Sequence, residues 1–251
     1  MRLRFLGTGT STGVPEIGCD CEVCTSDDPR DKRLRVSLFV EVENKKILID
    51  CGPDFRQQML RNPADRIDAV LITHEHYDHV GGIDDLRPFC KYGPVSLYAE
   101  KYVSDAIRQR IPYVFRKNKY PGVPDISLNE IDIHPFKIDG LEIIPIRLLH
   151  GKLPIFGYRI GKIAYLTDLK TIPDEEFSKM EDLDILIINA LHFKEHISHE
   201  TVQDALENIG RIKPGKAFLI HMSHRFGLHK VMENQMPENV FVAFDGLEVV
   251  L

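Results

Sequence analysis

The sequence predicts a layered α/β fold, and three observations carry that prediction. Short apolar runs of β-type composition recur along the whole chain, from residues 2–6 to residues 241–251. Segments with helical spacing, at 55–60, 100–110 and 201–212, fall between them. Several runs stop at a polar side chain, as 141–149 does at His150 and 216–220 at His221. Strands alternating with helices build layers rather than a helix bundle. A chain of 251 residues suffices for one large domain, taken as 1–251.

The composition, 43% hydrophobic and 28% charged, is that of an ordinary soluble globular protein. The opening residues, Met1 to Gly7, are too short and too soon interrupted by arginine for a secretory signal. No apolar run nears the roughly 18 residues of a membrane span. Of five cysteines three are clustered, which fits metal ligation in a reducing cytoplasm better than a secreted disulfide framework. The net charge of −6 argues against a nucleic-acid surface, although a local basic patch is compatible with it. The expectation is a cytoplasmic protein with neither membrane nor nucleic acid as partner.

Residues 2–6 alternate as an edge strand does and then break at Gly7-Thr8-Gly9-Thr10-Ser11-Thr12-Gly13. This loop is either an anion cradle or a tight turn, and without a following Gly-Lys-Ser/Thr it is no P-loop. Next come Cys19, Cys21 and Cys24, three thiols that can close on one tetrahedral ion given a fourth ligand from elsewhere. Charged residues at 27–35 read as an exposed connection. Residues 36–42 and 46–50 form a hairpin across Glu43-Asn44-Lys45. Asp50, at its end, either orients a ligand imidazole or caps the helix at 55–60. Cys51 reads as a packed thiol.

The apolar run 69–72 leads into Thr73-His74-Glu75-His76-Tyr77-Asp78-His79. Packing gives no reason to gather three imidazoles and a carboxylate in six residues, whereas zinc, manganese or iron does. Residues 81–88 then form a short helical or turn segment in which Asp84, Asp85 and Arg87 pair with one another or face a substrate. A strand at 95–99 and the helix at 100–110 follow. Segment 108–124 mixes Arg108, Arg110, Arg116, Lys117 and Lys119 with Tyr113, Phe115 and Tyr120, as a lid or an RNA-contacting arm would, or an ordinary exposed loop. Further strands are read at 155–160, 162–166, ending at Thr167-Asp168, and 184–189.

The 73–79 stretch resembles the signature of the metallo-β-lactamase superfamily, and the resemblance extends over nearly the whole chain. It implies a four-layer αββα sandwich with the active site at one edge. It also implies that His74, His76 and His150 bind one metal, that Asp78, His79 and His221 bind a second, and that Asp168 bridges both. Two such ions, zinc or manganese, would hold a bridging hydroxide at neutral pH and clamp a phosphoryl oxygen. Phosphoryl and carboxyl esters both suit that chemistry.

Two features narrow the substrate. Cys19, Cys21 and Cys24 together with His221-Met222-Ser223-His224 resemble the PhnP-type cyclic phosphodiesterases. In that group three such cysteines and the histidine three residues past the last active-site ligand, here His224, bind a structural zinc. His199, in Ile197-Ser198-His199-Glu200-Thr201, stands where PhnP-type enzymes and RNase Z carry a histidine that assists phosphodiester cleavage. It is assigned as general acid or stabiliser of transition-state charge, alongside Asp78 at the metals; the alternative is a helix-start residue without chemistry. The implied activity is hydrolysis of a small phosphodiester, cyclic esters included. RNase Z-like RNA processing and a PqqB-like role in cofactor biosynthesis are the alternatives. Homodimers occur in the family, but no stretch reads as an interface.

Overall fold

The computed structural model describes all 251 residues, the side chain of Tyr92 excepted. Along the chain the strands are β1 (Arg2–Gly7), β2 (Ser37–Val42), β3 (Lys45–Ile49), β4 (Ala69–Leu71), β5 (Val95–Glu100), β6 (Ile126–Ile131) and β7 (Phe136–Ile138). They continue with β8 (Leu141–His150), β9 (Leu153–Ile160), β10 (Ile163–Leu166), β11 (Ile185–Asn189), β12 (Lys216–Ile220), β13 (Val240–Val242) and β14 (Glu248–Val250). The α-helices are α1 (Glu22–Thr25), α2 (Phe55–Arg61), α3 (Tyr77–Val80), α4 (Lys101–Arg110), α5 (Val202–Ile212) and α6 (His229–Glu233). Two compact units divide the chain: Met1–Gly7, Arg35–Asp132 and Gly246–Leu251 form the first, Thr8–Leu34 and Ile133–Asp245 the second. Among the described residues no helix is long and apolar enough to cross a membrane.

The first unit is built on a mixed sheet in the order β14-β1-β2-β3-β4-β5-β6. Its hairpin β2–β3 turns at Glu43 and Asn44, both left-handed at φ 48° and 61°, which suits a two-residue turn between twisted strands. From β3 to β6 the strands run parallel, so each connection must cross over, and α2 and α4 lie in two of these crossovers. Leu48, Val70 and Leu97 pack with Phe55, Val103 and Ile107 in one core. Leu38, Val40, Ile47 and Ile49 are buried as well, so these strands read as continuous apolar runs rather than alternating ones.

The second unit repeats the plan with the order β13-β12-β11-β10-β9-β8-β7, parallel from β10 to β13 and antiparallel from β7 to β10. Helix α5 crosses from β11 to β12. It begins at a capping box in which Thr201 accepts from the Asp204 N–H and the Asp204 side chain accepts from the Thr201 N–H. Val202 and Ala205 of α5 pack with Leu166, Leu186 and Leu219 of the sheet. In parallel sheets, sites gather beyond the carboxyl ends of the strands. Here those ends deliver Asp168 after β10 and His221 after β12, both left-handed at φ 58° and 56°. Such backbone costs a non-glycine residue roughly 1 kcal/mol or more and marks positions that the surroundings over-determine.

The structure corrects several expectations. Residues 2–6 are not an edge strand, because β14 pairs outside β1. The tail 241–251 is two short strands in different sheets rather than one. Strands β6 and β7 were not expected, although the alternation in Ile126-Ser127-Leu128-Asn129-Glu130-Ile131 is a legible period-2 signal. Segment 27–35 is not simply an exposed connection. Arg33 is buried, donating to Thr8 Oγ1 at 2.8 Å and to the Ala243 carbonyl at 2.6 Å, and burial pushes its guanidinium down to about 10. Buried Asp31 accepts from the His229 N–H at 2.7 Å. A charge count sees seven charged positions here, whereas the fold supplies internal partners for these two.

Candidate metal centres

In the first unit, β4 ends two residues before Thr73, and α3 carries Asp78 and His79 back over the end of β3. The approach is close. The Cys51 N–H donates to the His79 carbonyl at 2.8 Å, and a Cβ on Gly52 would lie 2.0 Å from the Asp78 carbonyl oxygen, so only glycine fits. His74 and His79 have no exposure, Asp78 is 7% exposed and His76 is exposed. The rings of His74 and His76 lie 4.6 Å apart by centroid, and those of His74 and His79 lie 4.1 Å apart.

Asp50 orders this cluster. Its Oδ2 accepts from His79 Nδ1 at 2.7 Å, and its Oδ1 accepts the Thr73 N–H at 2.9 Å. The Thr73 hydroxyl gives its one proton to Asp50, 2.9 Å from Oδ2, and so accepts from His74 Nδ1 at 3.0 Å. Both rings are thereby held with the proton on Nδ1 and the lone pair on Nε2, the form that ligates a metal. Burial pushes the Asp50 carboxyl up, opposed by His79 and Thr73. Of the two roles open to Asp50, the structure selects imidazole orientation. The residue before α2 is Asp54, whose carboxylate is spent on the Arg35 N–H and guanidinium.

In the second unit His150 closes β8. Its Nδ1 donates to the carbonyls of Asp168 at 2.6 Å and Ser198 at 2.9 Å, which again leaves Nε2 as the donor atom. Asp168 Oδ2 accepts the Thr167 hydroxyl at 2.6 Å. Its Oδ1 faces His221 Nε2 at 3.0 Å and His199 Nε2 at 3.2 Å. His150, Asp168 and His199 bring donor atoms within 4.8 Å of one another, and His199 stacks on His221 with centroids 5.0 Å apart. Burial pushes the His199 imidazole down to about 4, against the pull of Asp168. Asn189 at the end of β11 pins the backbone beyond Asp168, its amide bonding both the N–H (2.8 Å) and the carbonyl (3.2 Å) of Leu169. The sequence shows Thr73, Asn189 and Ser198 within or at the end of these stretches but assigns none of them a role. A polar residue ending a fully buried strand was the available signal for Asn189.

A second cluster lies wholly within this unit. Cys19, Cys21 and Cys24 present Sγ to His224 Nδ1 at 3.1, 3.5 and 3.4 Å. Zinc bonded to sulfur at about 2.3 Å and to nitrogen at about 2.0–2.1 Å in a tetrahedron separates S and N ligands by roughly 3.5 Å. The donors present therefore fit such an ion. Cys51 and Cys90 take no part: Cys51 is a buried packed thiol, and the Cys90 thiol donates to the Asp125 carbonyl at 3.3 Å. His224 Nε2 lies 3.6 Å from Glu16 Oε2, placing a carboxylate behind the ring. The Cys24 backbone N–H holds the Cys21 thiol down to about 7, whereas burial pushes Cys24 up to about 11. His192, His196 and His229 contribute nothing to this cluster.

Residues 45–222 match the family model described as the beta-lactamase superfamily domain, most of the chain's length. The chain belongs to that superfamily and has its metallo-β-lactamase α/β fold, the fold of metal-dependent hydrolases. Within it, the chain goes with the PhnP family. A crystal structure described as a new diphosphatase from the PhnP family is 37% identical, with TM-score 0.93, over 100% of this chain and 97% of that one. An octanoyltransferase of Porphyromonas gingivalis is 49% identical over 100% of this chain but only 52% of its own length, so the chain spans about half of that relative. Zinc-bound PqqB from Methylobacterium extorquens, 18% identical with TM-score 0.82 over the full length of both chains, shares the fold.

Proposed function

We propose that the chain is a metal-dependent phosphodiesterase acting on a small phosphodiester, cyclic esters included. His74, His76 and His150 would hold one divalent ion, Asp78, His79 and His221 a second, and Asp168 both. Imidazole and carboxylate donors suit zinc and manganese alike. When bound, two such ions lower the pKa of water towards neutrality and polarise phosphoryl oxygens. The Cys19, Cys21, Cys24 and His224 cluster would hold a structural zinc.

The observation that carries the phosphoryl reading is His199 Nε2 at 3.2 Å from Asp168 Oδ1. A histidine outside the ligand set, directed at the carboxylate shared by the metals, is placed to donate to an oxygen that gains charge as the P–O bond breaks. The likeness to a PhnP-family diphosphatase supports the same bond class. Octanoyl transfer is not carried over, because nearly half of that relative lies outside the match. RNA processing is the weaker alternative. Arg108 pairs with Asp105 and Glu130, and Lys119 with Asp125, so part of the 108–124 charge is spent internally. PqqB likeness at 18% identity speaks to the fold alone.

The test is hydrolysis of bis(p-nitrophenyl) phosphate by protein loaded with manganese or zinc, with elemental analysis of the same sample. Turnover by protein carrying metals supports the proposal. Metals bound with no cleavage of this or of a cyclic phosphodiester would sink it.

A further inference from the structure

We propose that His196 is a positioning residue for His199. Its Nδ1 lone pair holds a proton on His199 Nδ1, which leaves Nε2 as the nitrogen that exchanges a proton with the leaving oxygen. The proposal rests on the phosphodiesterase reading, with His199 as its acid. His196 belongs to none of the candidate ligand groups among the described residues. It lies in the loop between β11 and α5, and both histidines belong to the second unit.

His199 stands between two side chains. Its Nε2 faces Asp168 Oδ1 at 3.2 Å, and its Nδ1 faces His196 Nδ1, also at 3.2 Å. Two imidazole nitrogens so placed share one proton, since two lone pairs would repel and two N–H groups would clash. The Ser198 backbone decides which ring carries it. Its N–H points at His196 Nδ1 at 3.4 Å, and an amide N–H only donates. His196 Nδ1 is thereby an acceptor, and the shared proton belongs to His199 Nδ1. Burial, reinforced by His150, pushes the His196 imidazole down, which keeps that ring neutral and its lone pair open. The Ser198 hydroxyl lies 3.3 Å from His196 Nδ1 and 3.1 Å from His199 Nδ1. It accepts from the second while donating to the first, but a rotating hydroxyl does not by itself fix the assignment.

The loop that carries both rings is tied down. His150 Nδ1 donates to the Ser198 carbonyl at 2.9 Å, and the Glu200 N–H donates to the Leu169 carbonyl at 2.9 Å. The two rings lie 5.0 Å apart by centroid, and the His199 side chain is 12% exposed, so it has little room to turn over. In the acid step the P–O bond breaks, its electron pair goes to the leaving oxygen, and that oxygen takes the Nε2 proton. The ring is then neutral with its remaining proton on Nδ1, where His196 accepts it. The water whose hydroxyl joins phosphorus returns a proton to Nε2. His74, His79 and His150 also keep a proton on Nδ1, through Thr73, Asp50 and two backbone carbonyls. Behind His199 an imidazole takes that place.

The experiment is long-range proton–nitrogen NMR of the zinc-loaded protein with its histidine nitrogens labelled, His199 being assigned by its absence from His199→Ala. The wild-type chain should carry a proton on His199 Nδ1 at neutral pH. His196→Ala should move that proton to Nε2. His196→Asn, whose side-chain carbonyl also accepts, should keep it on Nδ1, as should Ser198→Ala. On bis(p-nitrophenyl) phosphate His196→Ala should lower kcat by roughly tenfold at unchanged KM and metal content. The loss should be larger on diphenyl phosphate, whose leaving phenol is the weaker acid and needs the proton more. His196→Asn should restore most of the rate. A proton on Nε2 alone in the wild type would overturn the proposal, and that reading needs no variant to fold. Equal loss in His196→Ala and His196→Asn, or a proton moved by Ser198→Ala, would overturn it too. The spectrum is read without turnover. A ring fixed by His196 in a chain that cleaves no phosphodiester keeps this assignment and loses the phosphodiesterase reading, whereas cleavage with the proton on Nε2 alone does the reverse.

Discussion

Asp50 accepts a hydrogen bond from His79 Nδ1 at 2.7 Å, and neither side chain has any exposure to solvent. The carboxylate ends β3 while the imidazole belongs to a helix 29 residues later. The pair joins hairpin and helix and sets the ring's tautomer. Asp50→Ala should therefore weaken metal binding at His79 by roughly 10- to 100-fold while every proposed ligand remains in place. Competition against a chelator of known affinity measures this. Unchanged affinity would mean that the orientation of His79 is held without Asp50.

The cysteine cluster predicts a metal count. Elemental analysis of the wild-type chain should give three metals, one of which survives a chelator that strips the other two. Cys21→Ser or His224→Ala should remove the resistant ion alone and lower the melting temperature by several degrees, since binding energy at a structural zinc is folding energy. A resistant ion that stays in both variants would place it elsewhere.

His199→Ala should lower the rate on bis(p-nitrophenyl) phosphate by about 10²- to 10⁴-fold with the metal content unchanged. Loss of metal along with activity would instead make His199 a ligand, which its 3.2 Å approach to Asp168 makes worth separating.

Asp245 predicts a pH dependence of stability. It accepts from Thr8 Oγ1 at 2.8 Å and from the Leu34 N–H at 2.7 Å, and burial pushes its carboxyl up to about 6 despite Arg33 nearby. The unfolded carboxyl titrates near 3.9. Between those values the native chain holds a proton that the unfolded chain has released, so this group's contribution to stability falls as pH rises through that window. Asp245→Asn cannot ionise. Its stability relative to wild type should improve between pH 4 and pH 7, by on the order of 1–2 kcal/mol once partial exposure of the residue is allowed for. Urea unfolding of both proteins at the two pH values, with metals held constant, measures the difference. A difference independent of pH would show that Asp245 is ionised in the folded chain throughout.

Local patterns in the sequence determined much of this protein. Strands such as 216–220 and helices such as 55–60 are short-range consequences of periodicity, and the structure returns them within a residue or two. The 73–79 stretch and the three clustered cysteines are legible for the same reason, since their spacing alone sets chemically unusual donors side by side. Tertiary structure decided the partners. Asp50 serves His79 rather than capping α2, because parallel pairing of β3 with β4 puts their carboxyl ends together. His224 rather than His192, His196 or His229 joins cysteines 200 to 205 residues away, because Gly9 pairs with Met222 and draws the early loop beside the end of β12. Arg33 and Asp31 are buried because partners more than 190 residues distant, Ala243 and His229, come to meet them. A spacing rule reaches as far as one turn or one strand. Partners chosen by strand order over 200 residues leave no trace in the local sequence.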